Sequence, residues 1–136
     1  MALAELGLES AIRRLCDSLT PDSVPAITCN IVAPLPRVPP HVETAIYRIT
    51  QEALTNIVKH ARATHASVDL AVEGGMLRLR VTDDGGGVSE ETPAHGGMGT
   101  VSIRTRAEGI GADVSRQGAD PGTVLEVVLP LPEETT

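Results

Sequence analysis

The scarcity of aromatic residues most restricts how this chain can fold. Its 136 residues include no Trp, no Phe and a single Tyr, Tyr47. The core must therefore be built from aliphatic side chains, and a hydrophobic content of 41% supplies enough of them. A chain of this length fits one domain and can bury roughly two thirds of its unfolded surface.

The same scarcity, together with the net charge, argues against one class of function. The chain carries 18 Asp and Glu against 11 Lys and Arg, which gives a net charge of −7. A nucleic-acid binder normally needs a basic surface and rings on which bases stack, and this chain has neither. No apolar run approaches the ~18 residues of a membrane span, and no basic and apolar leader opens the chain. We therefore expect a soluble domain that contacts neither nucleic acid nor membrane.

Cys16 and Cys29 could in principle form one disulfide bridge. Two cysteines in a chain of this length are not a disulfide framework, and neither has a CxxC or histidine neighbour that would indicate a metal. Both fall in segments with an apolar pattern. We predict that both are reduced residues of the core.

Hydrophobic periodicity predicts three helices and five strands in the order α-β-α-β-β-α-β-β. Apolar residues at helical spacing indicate helices over 3–19, 41–61 and about 100–109. Alternation indicates strands over 27–33, 67–73, 76–82, about 112–117 and 123–130. The Gly74-Gly75 pair joins the second and third strands as a hairpin. This order predicts an α+β fold, a two-layer α/β sandwich.

The helix over 41–61 carries a polar stripe made of Glu52, Asn56 and Lys59. Asn56 lies at the border of the apolar face, which would place its amide in a cleft. Carboxylate and amide oxygens coordinate Mg²⁺ or its waters, and an ammonium offsets phosphate charge, so the stripe suits a magnesium–polyphosphate complex. Taken alone, the stripe is more often an ordinary exposed helix face.

A second element follows the strand over 76–82, where Asp83 precedes Gly85 and Gly87. A carboxylate at the end of a buried strand is a fixed acceptor, and the glycines let a ligand approach the backbone closely. The exocyclic amine of a purine is a suitable donor for it. By itself, an Asp-Gly cluster most often marks a simple turn.

A third element, Gly96-Gly97-Met98-Gly99-Thr100, directly precedes the helix predicted from about residue 100. Its backbone N–H groups, with the positive end of the helix, can cradle a phosphate. The alternative is a mobile loop with Thr100 as the N-cap.

Together, the three elements are far more specific than any one of them. ExxxN on a helix, DxGxG after a strand and GxG before a helix follow one another within about 50 residues. This pattern resembles the N, G1 and G2 boxes of the GHKL ATPase superfamily, whose ATP-binding domain has the Bergerat fold. It is not a P-loop, because no GxxxxGK[ST] occurs and Lys59 is the only lysine.

The resemblance narrows to one subfamily and covers nearly the whole chain. Residues 47–61, YRITQEALTNIVKHA, look like the N box of two-component sensor histidine kinases of the NarL-partner type. The GMG at 97–99 looks like their G2 box. The resemblance implies a mixed, mostly antiparallel sheet packed on helices. It also implies that 1–136 is a single catalytic and ATP-binding domain, with 1–20 as a leading linker helix and 86–99 as the ATP lid.

The resemblance implies a role for each candidate residue. Asp83 would recognise adenine, Asn56 would bind Mg²⁺, Glu52 would help place the metal or water, and Lys59 would face the phosphates. The remaining candidates surround the nucleotide: Gly85 and Gly87 at the adenine, Gly97, Met98, Gly99 and Thr100 at the triphosphate, and Thr123 at the pocket floor through water.

The implied function is to bind Mg·ATP and to donate the γ-phosphoryl group to a histidine. Four histidines are present, and none lies beside an acidic residue on a dimerising helix: His41, His60, His65 and His95. We therefore expect the acceptor histidine on a separate dimerisation domain of a bacterial, cytoplasmic kinase module, with a response regulator as indirect partner. Two alternatives are a GHKL serine kinase of the anti-sigma type and a non-catalytic GHKL interaction module.

Overall fold

The computed structural model describes residues 3–19, 26–32, 35, 38–61, 63–85, 103–118 and 122–131. Within them, the elements follow the predicted order. The helices are α1 (Leu3–Leu19), α2 (Pro40–Asn56) and α3 (103–109), and a π-helical turn (Ile57–Ala61) continues α2. The strands are β1 (Ala26–Ile31), β2 (His65–Glu73), β3 (Met76–Asp83), β4 (Asp113–Gly118) and β5 (Thr123–Pro130). The predicted lid, 86–99, lies outside the described residues.

The five strands form one mixed sheet in the order β1-β2-β3-β5-β4. β1 pairs with β2 in parallel, and the other three pairs are antiparallel. β2 and β3 form the predicted hairpin, in which Glu73 pairs with Met76 across the Gly74-Gly75 turn. The predicted fold, a two-layer sandwich with a mostly antiparallel sheet, is confirmed.

Alternation along the strands gives the sheet one buried face and one open face. On β3, Leu77, Leu79 and Val81 are buried, whereas Arg78 and Arg80 are exposed. The helices α1 and α2 pack against each other, α1 also contacts β1, and α2 contacts β3. The largest fully buried side chains are aliphatic, apart from one threonine: Ile12, Ile46, Ile49, Thr50, Leu54, Val68, Leu70, Leu77, Leu79 and Val127. The predicted aliphatic core is confirmed.

The second helix is α-helical over a shorter range than the periodicity predicts. It begins at Pro40. Proline is tolerated in the first turn of a helix, because backbone N–H groups have no partner within the helix there and the N–H that proline lacks is not needed. After Asn56 the chain continues as a π turn, and the N–H of Ile57 is shared between two carbonyl oxygens of the preceding turn. The apolar pattern alone does not distinguish the wider turn from an α-helix, because both keep one face buried.

The two cysteines lie beside each other, with Cys16 on α1 and Cys29 on β1. Cys16 is buried, Cys29 is partly buried, and both are free thiols. Burial, together with the neighbouring Cys29, raises the pKa of the Cys16 thiol to about 12. The prediction of reduced core cysteines agrees with this placement, although nothing in the sequence indicated that the two thiols interact.

Gly122 holds the start of β5 against the end of β3. Its φ of +104° lies in the region that favours glycine. A Cβ at this position would overlap the backbone carbonyl oxygen of Asp83. The backbones can therefore approach this closely only because residue 122 has no side chain.

We predict that Gly122→Ala destabilises the domain by about 3–4 kcal/mol, from left-handed strain and the collision with Asp83. The matched control is Gly111→Ala, because Gly111 has φ +78° but open space at its Cβ position. That variant should lose only the conformational cost of about 1–2 kcal/mol. Chemical denaturation measures both, and equal losses would contradict the proposed close contact.

Candidate functional site

The site is built around the carboxyl group of Asp83, the last residue of the central strand β3. Asp83 pairs with Ala66 of β2 on one side and with Thr123 of β5 on the other. Its side chain is buried, with 6% exposed. The backbone N–H of Gly85 donates a hydrogen bond of 2.8 Å to its Oδ1. The carboxyl group is therefore fixed by its strand and by the turn that follows.

The charge of Asp83 is opposed by its surroundings. Burial raises the pKa of this carboxyl, and the nearby Asp84 raises it as well, whereas the Gly85 N–H and Arg116 lower it. Because the net pKa is raised, the ionised form destabilises the folded state as the pH rises through that pKa. Buried carboxyl groups with a shifted pKa, whose ionised form destabilises the fold, occur preferentially at functional sites.

Thr123 and Gly85 lie at the same end of the sheet as Asp83. Thr123 is buried. Its side chain lies beside that of Asp83, because directly paired residues of antiparallel strands point to the same face. Gly85 is also buried, and its N–H contacts the Asp83 carboxyl group. The structure thus brings three of the predicted site residues together around one carboxyl group. Their roles toward a nucleotide stay predictions.

The predicted N box lies on the helix that packs on β3. Asn56 is the last residue of α2 and is partly buried. Glu52 lies one turn earlier, and its Oε1 is 3.6 Å from Nε of Arg106 on α3. The sequence did not predict this ion pair, which joins α2 to the helix that follows the predicted lid.

Lys59 lies in the π turn and is exposed. The polar stripe of Glu52, Asn56 and Lys59 was predicted for an α-helix that continues through residue 61. In such a helix, Lys59 would lie on the same face as Asn56. A π turn has more residues per turn, so the direction of Lys59 differs from the one that α-helical spacing predicts. The other predicted site residues lie outside the described residues: Gly87, Gly97, Met98, Gly99 and Thr100.

Sequence reasoning missed the role of Asp84. Its Oδ1 accepts hydrogen bonds from the backbone N–H groups of Thr64 at 2.8 Å and His65 at 2.9 Å. Its Oδ2 accepts a third, from the Thr64 hydroxyl, at 2.7 Å. These bonds, the His65 N–H foremost, hold the pKa of Asp84 well below its usual range. Asp84 therefore ties the end of β3 to the start of β2.

One signal in the sequence could have located this contact. The two-residue Gly74-Gly75 turn fixes the hairpin register, in which Glu73 pairs with Met76. Counting outward along both strands places Asp84 opposite His65. A carboxylate at that point can accept from the free N–H groups at the beginning of β2.

The donor atoms suit magnesium together with a nucleotide. Mg²⁺ is usually held by one or two protein oxygens and by substrate phosphates, and Asn56 and Glu52 offer an amide oxygen and a carboxylate one helical turn apart. Within the part of the chain that the structure describes, no group of three or more His, Cys, Asp or Glu could hold a metal by itself. Nor is any described helix long and apolar enough to cross a membrane.

Comparison with known proteins defines the class. Residues 41–133 match the family described as histidine kinase-, DNA gyrase B- and HSP90-like ATPases. The match covers more than half of the chain and includes α2, all of the antiparallel strands and the site. The chain belongs to this family, and the predicted GHKL resemblance is confirmed.

The relatives point to one branch of the family. The chain is 39% identical to the sensor histidine kinase YxjM of Bacillus subtilis over 94 residues, which are 68% of this chain and 22% of that protein. It is 28% identical to DegS of Brevibacillus brevis over 98% of this chain and 35% of the relative. It is also 28% identical to the nitrate/nitrite sensor NarX of Escherichia coli, over 99% of this chain and 23% of NarX. NarX and DegS fit the predicted NarL-partner subfamily, and the chain spans about a third or less of each relative.

Solved structures of histidine kinases share the fold. The blue-light activated histidine kinase EL346 of Erythrobacter litoralis is 30% identical, with a TM-score of 0.76 over 91% of this chain and 42% of that chain. Full-length ShkA in complex with AMPPNP has a TM-score of 0.75 at 20% identity, over 96% of this chain and 31% of ShkA, and supports the fold alone.

We predict that Asp84→Ala lowers the melting temperature, and that the loss depends on pH. Because the native pKa of Asp84 is depressed, its contribution is present above the ordinary value of about 4 and is lost as the pH falls through the native pKa. Thermal unfolding at several pH values measures the difference, with the exposed Asp113→Ala as control. A difference that stays constant as the pH falls would contradict the role of the Asp84 carboxylate.

Proposed function

We propose that this chain is the ATP-binding catalytic domain of a two-component sensor histidine kinase. In this proposal the domain holds Mg·ATP while an imidazole nitrogen of a separate acceptor domain attacks the γ-phosphoryl group. The observation that carries the proposal is the buried Asp83 carboxylate at the end of β3, in a chain that belongs to an ATPase family. Relatives named as sensor histidine kinases favour this function over a serine kinase or an interaction module.

Asp83 recognises the base. Its carboxylate accepts a hydrogen bond from the exocyclic amine of adenine, and its Oδ1 is already oriented by the Gly85 N–H. The Thr123 hydroxyl, buried beside it, reaches the ring through water, and Gly85 and Gly87 border the pocket. With a single Tyr and no Phe or Trp in the chain, the base is held mainly by polar contacts and aliphatic walls. Modest affinity follows, which suits a domain that must release ADP.

The phosphates are held at the end of α2. Asn56 and Glu52 supply the oxygens for Mg²⁺ and its waters, and Lys59 offsets phosphate charge. The backbone of Gly97, Met98, Gly99 and Thr100 contacts the triphosphate, and 86–99 closes over it as a lid. When bound, Mg²⁺ neutralises charge on the transferred group.

The contribution of the protein to the reaction is positioning. Holding the γ-phosphoryl group in line with an incoming nucleophile lowers the barrier without covalent participation by the protein. Residues 1–136 form the catalytic domain in this proposal, and 1–20 connect it to the dimerisation domain that carries the acceptor histidine. That domain is the direct partner, a response regulator is the indirect one, and the reaction takes place in the cytoplasm of a bacterium.

We predict that the chain transfers label from γ-labelled ATP to a histidine of a separately produced acceptor domain of the parent kinase. Asn56→Ala should reduce the rate about 100-fold, because the phosphates lose the metal ligand that orients them. The control is Asn30→Ala, which removes an amide on β1 that hydrogen-bonds Asp69 across the sheet. Its rate should equal that of the wild type.

Two other results would contradict the proposal. Label that accumulates on serine would indicate the anti-sigma type of kinase. A folded chain with no transfer and no rise in melting temperature at millimolar Mg·ADP would indicate an interaction module, because a ligand that binds only the native state must stabilise it.

A further inference from the structure

Asp84 is held at the start of β2 by four hydrogen bonds, which involve both its side chain and its backbone. The carboxylate accepts three of them: from the N–H groups of Thr64 at 2.8 Å and His65 at 2.9 Å, and from the Thr64 hydroxyl at 2.7 Å. The backbone N–H of Asp84 donates the fourth to the carbonyl oxygen of His65, at 3.1 Å. These bonds restrict the backbone and the side chain of residue 84 at the same time.

The segment to which Asp84 is bound is itself fixed in the sheet. The carbonyl oxygen of Thr64 accepts a hydrogen bond of 2.9 Å from the N–H of Ala26, the first residue of β1. His65 is the first residue of β2 and is the parallel partner of Ala26. Ala63, which precedes them in the chain, is buried. Asp84 is therefore attached to the paired ends of two strands.

The backbone of residue 84 is also packed from the side of β5. A Cβ at Gly122 would lie 3.0 Å from the Cα of Asp84 and would overlap the carbonyl oxygen of Asp83. β3 lies between β2 and β5 in the sheet. The peptide group between Asp83 and Asp84 is therefore enclosed by the start of β2 on one side and by Gly122 on the other.

Asp84 separates the two groups that form the centre of the candidate site. The N–H of Gly85 donates a hydrogen bond of 2.8 Å to Oδ1 of Asp83, two residues earlier. A bond between a carboxylate and the N–H two residues later closes a tight turn, whose shape depends on the residue in the middle. Because Asp84 is that residue and is anchored, the fold itself directs the Gly85 N–H at the Asp83 carboxyl group.

The sequence around this turn makes an anchor useful. Three glycines follow Asp84 directly: Gly85, Gly86 and Gly87. Glycine loses more conformational entropy on ordering than any other residue, so a turn of this composition is not rigid by itself. A site whose groups must be ordered when the ligand binds loses affinity to the same extent. An anchored residue 84 avoids that loss.

We propose that Asp84 is a positioning residue for recognition of the base. Its bonds to Thr64 and His65 fix the turn in which the Gly85 N–H orients the Asp83 carboxylate toward the 6-amino group of the purine. Asp84 acts through these two residues and does not contact the nucleotide. The inference rests on the proposed function, in which Asp83 recognises adenine. It gives a role toward the ligand to the second position of the DxGxG pattern, which that pattern leaves open.

The test compares the affinities of two ligands, Mg·ADP and Mg·purine riboside diphosphate, in which hydrogen replaces the 6-amino group. They are measured for the wild type, Asp84→Ala and Asp84→Asn. The matched control is Gly111→Ala, which should also destabilise the fold, but from a position just before the end of β4 that is farthest from the row of Asp83. Calorimetry well below the melting temperature of each variant supplies the dissociation constants.

Asp84→Ala should bind Mg·ADP about two- to tenfold more weakly than the wild type, because the turn must then be ordered on binding. Its affinity for the analogue, which offers no donor to Asp83, should stay at the wild-type value. Asp84→Asn should recover most of the lost affinity, since its amide oxygen can accept from the two backbone N–H groups. Gly111→Ala should bind both ligands as the wild type does, despite its lower melting temperature.

Equal losses for the two ligands in Asp84→Ala would overturn the inference, because they would indicate a purely structural role. An asparagine variant as weak as the alanine variant would overturn it too. If Asp84→Ala does not fold, Asp84→Ser replaces it, since the serine hydroxyl retains one acceptor, and its loss should again be confined to ADP.

Failure of the proposed function gives a different result. In that case the wild type itself would bind ADP and the analogue with equal affinity, or would bind neither. A wild type that prefers ADP, with the same preference in Asp84→Ala, would reject the role of Asp84 alone.

Discussion

The candidate site is organised around one carboxyl group that is buried at the end of the central strand. Burial disfavours the charge of Asp83. Among the described residues, the N–H of Gly85 opposes that cost, and the charge of Arg116 does so to a smaller extent. Gly122 brings the start of β5 against the carbonyl group of the same residue. The end of β3, the start of β5 and the turn at Gly85 therefore meet at this residue.

The two adjacent aspartates at the end of β3 have opposite roles. Asp83 faces the core side of the sheet, is buried, and has a raised pKa. Asp84 accepts three hydrogen bonds from the start of β2 and has a depressed pKa. One residue thus stabilises the hairpin end, and its neighbour retains a destabilising charge, to which the proposed function assigns recognition of the base. The alternating geometry of a strand separates the two roles over a single residue.

Much of this fold follows from local patterns. Apolar spacing predicts the order and the approximate bounds of the described helices and strands, because an element that buries one face repeats its apolar residues every 3.6 or 2 positions. It does not predict the non-helical backbone of Gly7 inside α1 or the π turn after Asn56. The Gly74-Gly75 turn also fixes the hairpin register and, with it, the partner of Asp84. What local patterns do not contain is the pairing of distant strands. The neighbours of Asp83 on β5 depend on that pairing, so the sequence predicted Asp83 itself but not its close approach to Gly122.

Two further features depend on tertiary contacts in the same way. The change from α-helix to π turn after Asn56 preserves the buried face, so periodicity cannot reveal it, although it alters the direction of Lys59. The ion pair between Glu52 and Arg106 joins segments on either side of the predicted lid. Both features lie at the end of the site that we propose for the phosphates. There the sequence predicts the residue types, and the fold determines their geometry.

The most direct test of the account is the affinity of Mg·ADP for Asp83→Asn compared with the wild type. This substitution keeps the shape of the side chain and an oxygen for the Gly85 N–H but removes the charge. The account predicts saturable binding by the wild type and binding that is about 10- to 100-fold weaker in the variant, the loss expected for a charged hydrogen bond. Equal affinities would contradict the claim that the Asp83 carboxylate recognises the base.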